Sequence, residues 1–319
     1  FFSVSVLCVI AVLVNLCHLS PWGMPIWLKV PIIPFELTAP SLGLLLVFRT
    51  NTSFGRWAEG RRLFGRSLNR CHDICRQGLT CFPDKPALKA QLLRYMKAFP
   101  YTLKVHVRGG NGGCENDENL VEDVCKILKP NELQMLLDSE HRPRHLLQVM
   151  TEIIAVADPP PAALISLNQH LSSLSDVVGG CERILRTPIP LSYTRLTARF
   201  LTLWLLVLPL ALAEEFLMLG VTIWATIPSV AFIGFLLLGI EEVGVQIEEP
   251  FSILPLERMA KGCTRNIDAL EKQQERIMSI IEIDEDPIST TSAPSRSHSH
   301  QIANNNTSSP SPVLSNAST

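Results

Sequence analysis

The chain of 319 residues is 47% hydrophobic and only 18% charged, a low charge content for a soluble protein of this length, and its apolar residues gather in blocks. A formal charge of -2 leaves no cationic excess to offset phosphate repulsion, which argues against a nucleic-acid partner. Nine cysteines without a repeated spacing argue against a closed disulfide framework and read as reduced, small apolar residues.

The chain opens on Phe1-Phe2-Ser3-Val4, with no initiator Met and no basic stretch. That is the expectation for a fragment from which an N-terminal region, with any targeting peptide, has been removed. A bilayer core of roughly 30 Å needs about 20 helical residues. Phe1 to Leu16 carries no charge and reads as the visible part of a first span. Ile32 to Phe48 carries only Glu36 and stops at Arg49. Together they predict a first membrane helix pair over residues 1–48.

Residues 49–194 are polar, with apolar positions at helical spacing, as in Leu88, Leu92, Leu93, Met96 and Phe99. They predict a helical domain outside the membrane, broken by the loop at Gly109 to Gly113 and by Pro159-Pro160-Pro161. Leu196 to Ala213 stops at Glu214-Glu215, and Phe216 to Ile240 is uncharged until Glu241-Glu242. They predict a second membrane pair over 195–242, followed by a helical segment over 243–286. Residues 287–319 are rich in Ser, Thr, Asn and Pro; with so little apolar surface to offset ordering entropy, they are expected to be disordered.

Charge sets the orientation. The loop from Cys17 to Pro31 carries only Lys29, whereas Arg49 to Arg76 holds seven arginines against Glu59 and Asp73. The positive-inside rule then puts the polar domain and the C-terminal tail on the cytoplasm-like side.

Signatures of catalysis are missing: there is no Gly-x-Ser-x-Gly elbow, no Gly-Lys-Ser/Thr phosphate loop and no pair of Cys-x-x-Cys motifs. The expectation is a non-enzyme without cofactor or metal. Cys71, His72 and Cys75 stand one helical turn apart, but without a second cluster they read as structural thiols rather than ligands. Ile33, Leu37 and Ser41 recur every four residues and form one narrow stripe on a helix that Pro34 is suited to start. Spacing alone favours ordinary packing for that stripe.

Phe48-Arg49-Thr50-Asn51-Thr52-Ser53-Phe54-Gly55-Arg56-Trp57 resembles the hallmark by which bestrophins pass from their second membrane helix into a long cytosolic extension. Pro188-Ile189-Pro190-Leu191-Ser192-Tyr193-Thr194-Arg195 is similar to the lead into the third membrane helix of that family. Gln246-Ile247-Glu248-Glu249-Pro250-Phe251 resembles the segment after its fourth. The similarity runs in order over roughly residues 1–275, and its wording lies nearest to the voltage-dependent chloride channels of plant chloroplasts.

The resemblance implies an all-α integral membrane protein with four transmembrane helices per subunit, a large helical extramembrane domain and five subunits around a single pore. It implies a passive channel for chloride and other monovalent anions in the thylakoid membrane. On it, the hydrophobic neck falls on Ile33, Leu37 and Ser41, and a second constriction on Ile189. Ser41 stands where animal members carry an aromatic residue, which implies a wider or wetter neck. Arg49, Arg56, Arg61 and Arg62 form a basic region that attracts anions or, singly, anchors headgroups and joins subunits. Animal bestrophins follow Pro-Phe with an acidic run that clasps calcium. Here Pro250-Phe251 leads into Ser252-Ile253-Leu254-Pro255-Leu256, which offers calcium almost none of its six to eight oxygen ligands. A secondary anion transporter and a membrane-anchored helical interaction protein are the rival classes.

Overall fold

The computed structural model describes the backbone of residues 2–20, 25, 29–82, 84–109 and 114–284. Among these residues all regular structure is helical: α1 (Phe2–Leu19), α2 (Ile33–Cys81), α3 (Pro86–Arg108), α4 (Cys114–Val124), α5 (Pro130–Leu137), α6 (Arg142–Ala157), α7 (Pro161–Arg186), α8 (Leu191–Met218), α9 (Thr226–Gln246), α10 (Pro250–Ile253) and α11 (Leu256–Asp284). Phe1–Glu275 make one compact unit. A second, Arg276–Thr319, is described only over 276–284, which are helical. The tail expected to be disordered, 287–319, and Gly110 to Gly113 of the glycine-rich loop lie outside the described residues.

Prolines mark where these helices begin. Six of them, α2, α3, α5, α6, α7 and α10, carry Pro in the first two positions, where the missing N–H would have had no intrahelical partner. The break expected at Pro159 to Pro161 is therefore a junction. Asp158 closes α6 in the left-handed region at φ 46°, a conformation its short polar side chain tolerates, and Pro161 opens α7.

The expected boundary at 48/49 falls inside α2, a helix of 49 residues that runs about 73 Å at 1.5 Å per residue. A charge need not end a span when the fold pairs it. Arg49 is buried against Glu241 of α9, so the helix passes through the position without a turn.

The second correction concerns the junction of α8 and α9, expected at Glu214-Glu215. Helix α8 continues to Met218, and the chain turns at Gly220, in the left-handed region at φ 68° that glycine adopts freely. Glu214 stays helical because Lys29 Nζ donates to it at 2.7 Å, with His18 Nε2 at 3.7 Å.

Two cores position the rest. The first joins α1, the start of α2, α8 and α9 through Leu7, Ala11, Phe35, Leu42, Leu201, Leu205 and Val230. Two of its segments, Leu191–Met218 and Ile223–Gln246, are long and apolar enough to cross a membrane. In lipid such association rests on close packing rather than on escape from water. At Gly234 an added Cβ would come within 2.9 Å of Leu7 Cδ1, so that glycine lets α1 and α9 approach. The second core is larger and joins the rest of α2 to α3, α6, α7 and α11 through Phe64, Leu92, Met96, Phe99, Leu146, Met150, Leu174 and Ile267. Here water drives the packing, at about 1.5–3 kcal/mol for each large side chain fully buried. Cys71 and Cys75 belong to this core, as structural thiols do, and the eight described cysteines without masked side chains are free.

Candidate permeation face of helix α2

Helix α2 buries one side along its whole length. Phe35, Leu42, Leu46, Arg49, Ser53, Gly60, Phe64, Ser67, Cys71 and Cys75 are buried at the three-, four- and seven-residue intervals that keep one face inward. The opposite face is open. Ile33 is 61% and Leu37 74% exposed, and Ser41, Leu44, Phe48, Asn51, Gly55, Arg62 and Arg66 follow them on the same side, all exposed. The stripe expected from spacing is thus not packing within the chain. One helix face runs from apolar through polar to basic.

The four arginines expected to attract anions do not act alike. Arg49 is 3% exposed and its guanidinium is ion-paired with Glu241. Arg56 is half-buried and donates to the carbonyl oxygens of Ile184 at 2.7 Å, Thr187 at 2.6 Å and Glu248 at 3.2 Å. It caps the C-terminal end of α7, where unpaired carbonyls favour a cation, and ties that end to the turn after α9. Only Arg61 and Arg62 are exposed. The first two are therefore clamps whose charge the fold already uses.

Ile189, expected as a second constriction, is 6% exposed. Its neighbours Pro188 and Pro190 extend the backbone between α7 and α8, and its side chain is packed away within the chain; Leu191, two residues on, is exposed. The neck stripe is presented and the Ile189 side chain is not.

Sequence patterns missed several partners. Glu241 looked like the stop signal of a span, and nothing local tied it to Arg49, 192 positions away. Arg108 looked like the rim of a loop. Its Nε donates to the Phe251 carbonyl at 3.0 Å and its Nη2 to the Leu254 carbonyl at 3.0 Å, and it pairs with Glu257. Gly60 lets the α10 turn seat closely on α2, since a Cβ there would stand 3.2 Å from Pro250. Glu182, buried on α7, gathers His141 Nε2 at 2.6 Å, His106 Nε2 at 3.0 Å and Arg144 Nη2 at 3.2 Å.

The two imidazoles and Glu182 have the composition of a metal site, with ligand atoms within 4.8 Å of one another. Their contacts are those of a hydrogen-bonded cluster. Arg144 supplies a cation to the carboxylate, and the Arg144 backbone N–H donates to His141 Nδ1 at 3.4 Å, which leaves the proton on the Nε2 that faces Glu182. Burial raises the Glu182 pKa, but hydrogen bonds from His141 and His106 and the Arg144 charge outweigh it, so the carboxyl is held below the usual range. Burial pushes the His106 imidazole down, against its hydrogen bond to Glu182.

The family profile described as Bacterial/Fungal Bestrophin protein matches residues 1–269. The chain belongs to the bestrophin family. Among curated bestrophin relatives, the chloroplastic voltage-dependent chloride channels 1 and 2 of Arabidopsis thaliana are 36% identical over 282 residues and 35% identical over 248. Those alignments cover 87% and 77% of this chain, which spans 65% and 57% of the relatives' lengths. A bacterial bestrophin homologue from Klebsiella pneumoniae, solved as a point variant, superposes with a TM-score of 0.75 at 22% identity. The match covers 85% of this chain and 98% of that one, and it shows a shared bestrophin fold.

Proposed function

We propose that this bestrophin is one subunit of a homopentameric channel that passes chloride and other monovalent anions passively, with four spans per subunit, in the thylakoid membrane of chloroplasts. The observation that carries this reading is the open face of α2, apolar at Ile33 and Leu37 and basic at Arg62 on the same side of one helix. Five such faces around an axis make an apolar neck that opens into a basic vestibule. The names of the two plant relatives support the anion and the organelle.

The mechanism has two parts. Arg61 and Arg62, exposed below the neck, raise the local concentration of anions. The rings of Ile33 and Leu37 offer nothing to replace lost water, so weakly hydrated anions cross more easily than strongly hydrated ones, and Ser41 supplies a hydroxyl donor at the neck's lower edge. Residues 1–48 and 195–242 are the two membrane pairs of this assignment, 49–194 the stromal domain and 243–286 its C-terminal helical part.

Calcium has no part in the proposed gate. The α10 turn offers the carbonyls of Phe251 and Leu254, and the Arg108 guanidinium already holds both. A cation placed there would meet a fixed positive charge.

Single-channel recording of the purified protein in a planar bilayer under a chloride gradient tests the reading. Discrete openings that reverse near the chloride equilibrium potential are expected. Reversal near the cation potential, or no openings from protein shown to be pentameric, would overturn it.

A further inference from the structure

A cleft of about 700 Å³ lies between α2 and α11, beside the open face of α2 and apart from the neck. Arg61, Arg62, Arg66 and Arg70 reach it from α2 and Arg258 from α11, and none of the residues lining it is Asp or Glu. Arg70 is paired with Asp73 at 3.1 Å. Arg62 and Arg66 stand on the ridge towards a neighbouring cleft that holds Glu59 and Asp176, and Glu59 there is already paired with Arg183. With Arg70 paired, Arg61, Arg62, Arg66 and Arg258 leave four like charges around a cleft whose lining has no carboxylate, and an anion among them relieves their repulsion. Asn69 and Asn266 add amide donors at the rim.

His72 and Cys263 complete the wall. A hydrogen bond from Cys71 lowers the Cys263 thiol to about 6, against burial, with His72 assisting. The His72 imidazole is raised in turn, first by its hydrogen bond to Cys263.

We propose that this cleft binds a soluble anion bearing two or more phosphate groups. Its size falls in the range of small-molecule sites, about 300–1,000 Å³, and exceeds what one halide can fill. Arginine forks match phosphate oxygens in bidentate pairs, which a monatomic anion cannot offer. A lipid headgroup has the same chemistry, but on the proposed membrane boundary at residue 48 the cleft lies beyond its reach. Arg61 and Arg70 lie 12 and 21 residues beyond Arg49 on an unbroken helix, about 18 and 31 Å past the end of the apolar stretch. The floor is open as well: a Cβ added at Gly262 meets nothing within 4 Å.

The experiment uses the full chain in detergent at constant ionic strength, with inorganic tripolyphosphate as the probe and calorimetry as the readout. Size-exclusion chromatography establishes that each variant assembles as the parent does. Tripolyphosphate is expected to bind at least about tenfold tighter than orthophosphate or chloride, as additional charge-assisted hydrogen bonds require. Arg66→Glu with Arg258→Glu should lose that binding, and Gly262→Leu, which narrows the cleft while keeping every arginine, should weaken it. Equal affinity for tripolyphosphate and chloride would overturn the proposal in favour of general anion attraction. Loss of assembly in the charge variant together with unchanged binding in Gly262→Leu would overturn it in favour of a subunit contact. Displacement of tripolyphosphate by phosphatidylglycerol micelles would overturn the soluble source. None of these outcomes depends on whether current flows through the neck.

Discussion

The two ends of helix α2 bury the same pattern of positions and expose opposite chemistries. Above Arg49 its inner face meets α8 and α9, and its outer face is Ile33, Leu37, Leu44 and Phe48. Below Arg49 its inner face meets α3 and α7, and its outer face carries Arg62 and Arg66. The buried side mixes large apolar and small residues at regular intervals in both halves, because apart from Arg49 it has only to pack. The open side is where the two halves differ, so substitutions on the two sides should separate assembly from conduction.

The largest effect is expected where the halves join. Glu241→Ala leaves the Arg49 guanidinium buried without its partner, a loss of about 3–5 kcal/mol, read as a lower yield of assembled protein and a lower midpoint in thermal unfolding. Replacing both Arg49 and Glu241 by Met should recover most of it. A Glu241→Ala protein as stable as the parent would show that the pair is not what carries α2 through this level.

On the open side the expectation reverses. A buried Leu→Ala change costs about 2–5 kcal/mol, but Leu37 is mostly exposed, so Leu37→Ala should leave stability unchanged while raising unitary conductance or open probability and weakening discrimination among anions. Ser41→Phe should lower conductance. If Leu37→Ala reduces the oligomer and leaves single-channel behaviour alone, this face is a contact between subunits.

Acid should weaken the larger core through its His106–Glu182 cluster. His106 is held below its ordinary value of 6.5, so the unfolded chain takes up a proton first, and stability falls as pH drops through that range. Glu182 is held below its ordinary 4.5; its contribution is complete above that value and is lost as pH falls through the lower, folded one. In thermal unfolding at a series of pH values, the His106 and Glu182 contributions should fall as pH drops below 6.5. Glu182→Gln should flatten the more acidic part of that decline.

Calcium gives the smallest expected effect, none. Chelation should leave the current unchanged while Arg108 holds the α10 turn, and a steep reversible loss of current would contradict the assignment of that turn.

Much of the fold was legible because helices announce themselves locally. The apolar stretches, the proline starts and the stripe at Ile33, Leu37 and Ser41 are all periodic features of neighbouring residues. The errors arose where a local signal had a distant cause. Glu214 looked like a terminus because its partner Lys29 lies 185 positions away, and the turn belonged to Gly220. Arg49 and Arg56 carry no local sign of their acceptors, which come from α9, from the C-terminal end of α7 and from the turn after α9. The side-chain burial of Ile189 depends on tertiary packing, which a motif does not carry.

The uninterrupted course of α2 also has a mechanical side. From Ser41 to Cys81 it is a rod of about 60 Å, anchored in the larger core at its lower end. A shift of that core reaches the level of Ser41 with little loss, because no turn absorbs it. Pro40, the only proline inside α2 beyond its first turn, withholds one backbone hydrogen bond and lowers the bending stiffness at that point. Ile33 and Leu37 are therefore coupled to the rod through its most compliant joint, and the neck of the proposed function can tilt by a different angle from the shaft that bears it.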